Sequence, residues 1–189
     1  EAIRPNIFNS FYTMLHAVVS HPAMLIYENN SYSTGPKSVK GERGNFKLSG
    51  RLARAVVRRF TLGRDAKIAK ADMNSLAMML SGWTLAGPNR KEAGRFIFRG
   101  DMHEPGEKVF MDRRFPDVDV LQAEAALDVL ARHPHCARRL AFRMARHFIN
   151  DLPDDQLITS MAHAYLDSDG ELSALVGAIV GSPLRAFDE

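Results

Sequence analysis

The chain has 189 residues, 46% of them hydrophobic and 25% charged, with 25 Lys and Arg against 22 Asp and Glu. That length supports one domain with a proper core, and the balance is ordinary for a globular protein. No apolar run reaches the roughly 18 residues that a membrane-crossing helix needs, and the single cysteine, Cys136, excludes an internal disulfide or a cysteine cluster for a metal.

Charge is distributed unevenly. Between Lys37 and Lys70 stand eleven Lys and Arg and only two acids, Glu42 and Asp65, which leaves this segment at +9 in a chain whose total is +3. A one-sided positive field bears on partners more than on fold. The chain begins at Glu1 with no signal-peptide pattern behind it. It reads as a fragment or a processed product, which leaves its compartment open.

Taken in order, the first apolar set is Ile7, Phe8, Phe11, Leu15, Val18 and Val19, at helical spacing. His21-Pro22 ends it and opens a second short helix through Tyr27. Residues 29–49 lack periodicity, carry Gly35, Pro36, Gly41 and Gly44, and read as a long exposed basic loop, disordered in part. From Gly50 to Phe60 the pattern is sharp: Leu52, Ala53, Val56, Val57 and Phe60 fall on one side, and Arg51, Arg54 and Arg58 on the other. Gly63 is positioned as a C-terminal cap. The next helix fits Asp72 to Ser81, with Met73, Leu76, Ala77 and Leu80 inward and Asp72 as its N-cap.

Residues 84–116 change character. Phe96-Ile97-Phe98 and Val109-Phe110-Met111 are β-prone runs on either side of His103-Glu104-Pro105-Gly106, which suggests a small hairpin or two extended arms. Helices then return: Val120 to Arg132, capped by Asp119, with Leu121, Leu127 and Leu130 apolar, and another restarting at His133-Pro134. The buried stripe of that second helix is expected at Ala137, Leu140, Ala141, Met144 and Phe148. Pro153 opens a helix with Leu157, Ile158, Met161 and Tyr165. The last begins near Asp169 and uses Leu172, Leu175, Val176 and Ile179. Asp167-Ser168-Asp169-Gly170-Glu171 lacks the twelfth-position glutamate of a calcium loop and reads as a cap for the last helix. The expected fold class is mainly α: one helical-bundle domain over residues 1–189, with about seven helices and a small hairpin or extended insertion.

Several landmarks in sequence order resemble a bacterial family known only as domain of unknown function 1800. They are the HPAML run at His21 to Leu25, Gly35-Pro36, the LAR run at Leu52 to Arg54, Thr61-Leu62-Gly63, Gly82-Trp83, Phe96 and Phe98, and His103 to Gly106. The strongest stretch is Glu124 to Asp151, followed by Asp169 to Leu172 and Ser182-Pro183. The resemblance implies that this chain corresponds to the C-terminal portion of longer proteins, many of them exported, and it carries no established reaction. The family pattern also implies acids where this chain has Gly50, Ala55 and Arg58. If those acids serve catalysis or metal binding in the family, this chain lacks the groups to do the same.

Function divides into two readings. In the first, a non-catalytic interaction module presents Arg51, Arg54 and Arg58, extended by Lys47 and Arg43 and the loop lysines Lys37 and Lys40, to an anionic partner. That partner is a protein, a lipid surface or a phosphorylated ligand. Specific nucleic-acid binding is not expected, because no aromatic platform, helix-turn-helix or zinc signature accompanies the charge. In the second, an enzyme of hydrolase-like or metal-assisted type uses His103, Glu104 and His147, with Arg54 beside them, and has altered or lost acidic residues. His103 and Glu104 form a histidine–acid pair in an irregular turn, where functional residues often sit. The sequence implies no cofactor and no metal site, and it leaves the oligomeric state open. The arginines at 132, 138, 139, 143 and 146 have acids near them in sequence and are expected to pair internally. Nucleophile-elbow, P-loop and dinucleotide fingerprints are absent.

Overall fold

A computed structural model describes residues 2–44, 47–89 and 91–181. It is mainly α: 50% of the chain is helical, with eight α-helices and two small antiparallel two-stranded sheets among the described residues. The Ser182-Pro183 landmark lies outside them.

Helix α1 (Phe11–Val19) starts later than the apolar spacing suggests, because Ser10 Oγ accepts from the Thr13 N–H at 3.3 Å and fixes the first turn there. Ile7 and Phe8 therefore stay outside the helix and are exposed. His21 caps α2 (Pro22–Tyr27), its Nδ1 accepting from the Ala23 N–H at 3.2 Å. Helix α3 (Arg51–Ala55) runs directly into a wide π-type turn, Val56–Phe60, in which the Thr61 N–H donates to Val56 O at 3.0 Å. Leu52, Ala53, Val56 and Val57 are buried as the periodicity indicates.

Helix α4 (Lys70–Met79) begins before Asp72, so Asp72 is not its cap. That carboxylate instead accepts from the Met111 N–H at 2.9 Å and ties α4 to the second sheet. The remaining helices are α5 (Val120–Ala131), α6 (Pro134–Phe148), α7 (Asp155–Asp167) and α8 (Leu172–Gly181). His133 caps α6 through Nδ1, which accepts from the His135 N–H at 3.1 Å. Asp119 stands just before α5 at φ 53° but makes no side-chain capping bond.

Two apolar stripes differ from the expected ones. Phe148 and Leu121 are largely exposed. The buried face of α6 is Cys136, Ala137, Ala141 and Ala145, small groups that let α7 approach closely. The segment after α7 ties α7 to α1. Gly170 N–H donates to Tyr165 O at 2.8 Å, closing α7, and Phe11 N–H donates to Gly170 O at 2.8 Å, anchoring α1.

The β-prone runs do not pair with each other. Strand β1 (Trp83–Leu85) takes β2 (Phe96–Phe98), with Trp83 opposite Phe98, and β3 (Lys108–Phe110) takes β4 (Arg113–Phe115). The reason is local. Between the two runs lie a single 3-10 turn at Gly100–Met102 and a buried His103-Glu104 pair, which provide no tight reversal. Met111 and Asp112, at φ 51° and 59°, supply the two-residue turn of a β3–β4 hairpin.

Segment 29–49 has no helix or strand among its described residues, yet it is not the exposed loop expected. Asn30, Ser33, Thr34 and Ser38 are buried. Gly35 N–H donates to Met102 O at 2.9 Å, Lys40 N–H to Asp101 O at 2.8 Å, and Gly82 N–H to Ser33 O at 3.3 Å. Asn30 Nδ2 donates to Leu80 O and Trp83 O, both at 3.0 Å. Trp83, fully buried, meets Phe96 and His16 edge-on at 5.1 and 5.7 Å between ring centroids. One continuous core joins Leu15, Leu25, Leu52, Leu76, Leu127 and Tyr165.

Asn30→Ala strips partners from two buried carbonyls and is expected to cost about 3 kcal/mol, read as a lower urea midpoint with unchanged slope. A loss under about 0.5 kcal/mol would show that the segment is not fastened this way.

Candidate functional site

The arginines of α3 and its wide turn surround an open cleft of about 510 Å³ that Tyr27, Glu28, Arg51, Arg54, Arg58, Arg59, Arg64 and Ala55 line. Local structure explains why five guanidiniums meet here. A regular helix spaces Arg51, Arg54 and Arg58 along one face. The wide turn inserts one residue before the chain leaves the helix, and Arg59 comes round to the same side. Gly63, at φ 100°, then turns the chain, and Arg64 follows at the cleft.

The turn itself is held from two sides. Thr61 Oγ1 donates to Val56 O at 2.8 Å. From α6, Arg139 donates to Thr61 O at 3.2 Å and to Arg59 O at 3.0 Å. A cation at these carbonyls also suits the negative end of the helix.

Glu28 is the one acid in the cleft lining, and its side chain is 6% exposed. Arg59 pairs with one of its oxygens, and Arg51 Nε lies 3.7 Å from the other. Arg51 also donates to Tyr27 O at 3.3 Å, and the Arg59 guanidinium sits 5.8 Å from the Tyr27 ring centroid. Among the described residues, Arg54, Arg58 and Arg64 have no acid within ion-pair distance. Five cations thus face one carboxylate.

Not all of the expected basic residues join them. Arg43 and Lys47 are exposed on the preceding segment and do not line the cleft. The backbone of that segment is committed elsewhere, Lys37 N–H donating to Glu104 Oε2 at 2.8 Å. Of the positions where the resemblance implies acids, Ala55 and Arg58 line the cleft, and Gly50 stands at the start of α3 beside the Arg54 guanidinium. Tyr27 and Glu28 complete the site without a signal in the sequence, while Arg59 and Arg64 belong to the basic segment but not to the expected arginine face. The first two arrive from another helix, and the wide turn that recruits Arg59 breaks the 100° periodicity on which the reading of α3 rests.

His103 and Glu104 occupy a different environment. The His103 side chain is 3% exposed; its Nδ1–H donates to Ser81 O at 3.0 Å, while Nε2 has no hydrogen-bond partner and lies 3.9 Å from Asp117 Oδ1. Glu104 N–H donates to Ser81 Oγ at 2.8 Å, and Lys108 Nζ donates to Glu104 O. Gly35 fits against this turn because it lacks a side chain: a Cβ there would stand 2.5 Å from Glu104 Cα. Burial is the main cause that holds His103 below its ordinary 6.5, with Lys108 adding to it and the Ser81 carbonyl and Asp117 opposing.

His147 lies in a third place, near the end of α6. It meets Phe148 edge-on at 4.6 Å and lines a shallow cavity of about 320 Å³ with Phe142, Arg143, Arg146 and Asp151. His103, Arg54 and His147 are therefore not brought to one site. Cys136 is buried between helices, and burial pushes its thiol up to about 12. Among the described residues, no three His, Cys, Asp or Glu side chains converge to hold a metal ion, and no helix is long and apolar enough to cross a membrane.

Fold and cleft together define a mainly α-helical protein with an arginine-lined recess. The chain matches the family described as Protein of unknown function (DUF1800) over residues 1–187, and it belongs to that family. No curated protein and no solved structure matches it.

The buried imidazole gives a pH dependence with a definite sign. Because the folded-state pKa of His103 is lowered, the unfolded chain takes up a proton below about 6.5 that the folded chain refuses. Stability from this group is complete above that pH and falls as the medium is acidified below it. His103→Gln is expected to lose less stability between pH 7 and pH 5 than the parent, whatever its absolute stability. An equal loss in both proteins would remove His103 as the cause.

Proposed function

We propose that the chain is a non-catalytic helical interaction module whose arginine cleft holds an anionic partner. One observation carries the reading: Arg54, Arg58 and Arg64 share an open recess in which the one acid is already paired with Arg51 and Arg59. Guanidiniums crowded without counter-charge repel one another, and an anion that enters the recess relieves that repulsion. Fixed in a fork geometry and always charged, they suit phosphate or carboxylate oxygens.

The fold supports this use. We take residues 1–189 as one bundle-like domain, in which α3 is held between α4 and the Arg139 contact from α6. With the backbone held by such a frame, the ordering cost of binding is confined to the arginine side chains. The enzyme reading gains nothing from the positions of His103, Arg54 and His147, which sit in three separate environments.

The test is retention on a heparin column. The triple variant Arg51→Ala, Arg54→Ala, Arg58→Ala should elute at clearly lower salt than the parent, because contacts between cations and a polyanion release counterions. The double variant Arg43→Ala, Lys47→Ala, outside the cleft, should shift less. Elution of the triple variant at the parent's salt concentration refutes the anion-binding reading.

A further inference from the structure

Tyr27 belongs to two recesses at once. On one side it lines the arginine cleft. On the other it lines a largely apolar groove of about 550 Å³ with Ile3, Val18 and Met24, beside which Arg4 and His21 also stand. Tyr27 is 65% exposed and Ile3 57% exposed, so this apolar surface meets solvent beside the five arginines of the cleft. Resting on the proposed function above, we infer that the site takes an anionic amphiphile. Its phosphate head sits on Arg54, Arg58 and Arg64, and its apolar body lies in the groove of Ile3, Val18 and Met24.

The chemistry of the boundary fits such a ligand. A tyrosine has an apolar ring and a polar edge, and it is suited to a place where the two media meet. Tyr27 lines both recesses, with the Arg59 guanidinium over its ring. Glu28 holds Arg59 and Arg51 in place while the other three arginines keep their donors free of protein carboxylates. A purely polar anion leaves the groove wet, and a purely apolar ligand leaves the arginines unpaired. A molecule with both parts satisfies both recesses.

The probe is a series of butyl, hexyl and octyl phosphates below their aggregation limits, titrated calorimetrically against the full chain, with inorganic phosphate as reference. Affinity should rise with tail length, up to roughly fourfold per methylene buried, until the groove is filled. Arg54→Gln, Arg58→Gln should weaken every member of the series by a similar factor. Met24→Gln should instead flatten the dependence on tail length and leave inorganic phosphate unaffected. Vesicles of phosphatidylglycerol, compared with phosphatidylcholine, separate the two sources of the ligand. Binding to the monomeric alkyl phosphates alone assigns a soluble amphiphile; binding to the anionic vesicles as well assigns a lipid headgroup.

An affinity independent of tail length overturns the inference while leaving the basic cleft intact, provided inorganic phosphate and heparin still bind in an arginine-dependent way. Failure of those two to bind removes both readings. A dimer that Met24→Gln dissociates, with no effect of tail length, assigns the groove to a second copy of the chain and also overturns the inference.

Discussion

Between α2 and α3 the described backbone forms neither helix nor strand, so each peptide group it buries must find its hydrogen bond elsewhere. The solution places most of the other elements. Asn30 satisfies the carbonyls of Leu80 and Trp83, the Ser33 carbonyl accepts from the Gly82 N–H that follows α4, and the N–H groups of Gly35 and Lys40 satisfy the carbonyls of Met102 and Asp101. Two chain segments far apart in sequence become one layer, and the Trp83 side chain is sealed beneath it. The same fastening fixes where α3 starts. Ser49 N–H donates to Ser33 Oγ at 3.0 Å, and Ser49 Oγ donates to Glu28 O at 3.3 Å, which brings the end of α2 against the first turn of α3. Without that contact Glu28 has no reason to meet Arg51 and Arg59.

Gathering five guanidiniums is unfavourable by itself, and the structure shows what offsets it. Glu28 sits where a carboxylate is nearly out of water, a costly position unless the charge is paired. It is paired with Arg59 and approached by Arg51. The wide turn that brings Arg59 round gives up regular helical bonding for one residue. Thr61 and Arg139 recover the freed carbonyls, so the distortion is stabilised rather than merely tolerated. Wide turns of this kind are frequent at functional sites because they aim a side chain that a regular helix directs elsewhere.

Periodicity alone locates most of the helices and their inward residues, because helix burial follows the 3.6-residue repeat: Leu52, Val56, Leu76, Leu127 and Tyr165 are all core. What it misses is non-local or aperiodic. The ordered state of residues 29–49 depends on carbonyls that lie some fifty residues away, which composition does not record. The partner of Phe96–Phe98 is the short Trp83–Leu85 strand, too brief for alternation to show. Hairpin β3–β4 turns on Met111-Asp112, a pair without the Asn-Gly signature of such turns. The three arginines of one α3 face are legible in advance, whereas Tyr27 and Glu28 enter the site only through the packing of α2.

The contrast between the two arginine-rich helices shows why charge counts do not identify a site. On and around α6, Arg132 pairs with Asp128 and Asp169, Arg138 with Asp155, and Arg146 with Asp151 at 3.6 Å. Arg139 spends its donors on the carbonyls that end α3. These pairs are exposed and contribute little to stability, and among the described residues Arg143 has no acid within ion-pair distance. Around α3 the nearest acids in sequence, Glu42 and Asp65, pair with none of the cleft arginines, and one buried carboxylate serves five cations. Similar composition therefore leaves Arg132, Arg138 and Arg146 paired with acids in one place and Arg54, Arg58 and Arg64 without an acid partner in the other. The difference is made by which acids the fold delivers, and among the described residues it delivers only Glu28 to the cleft at α3.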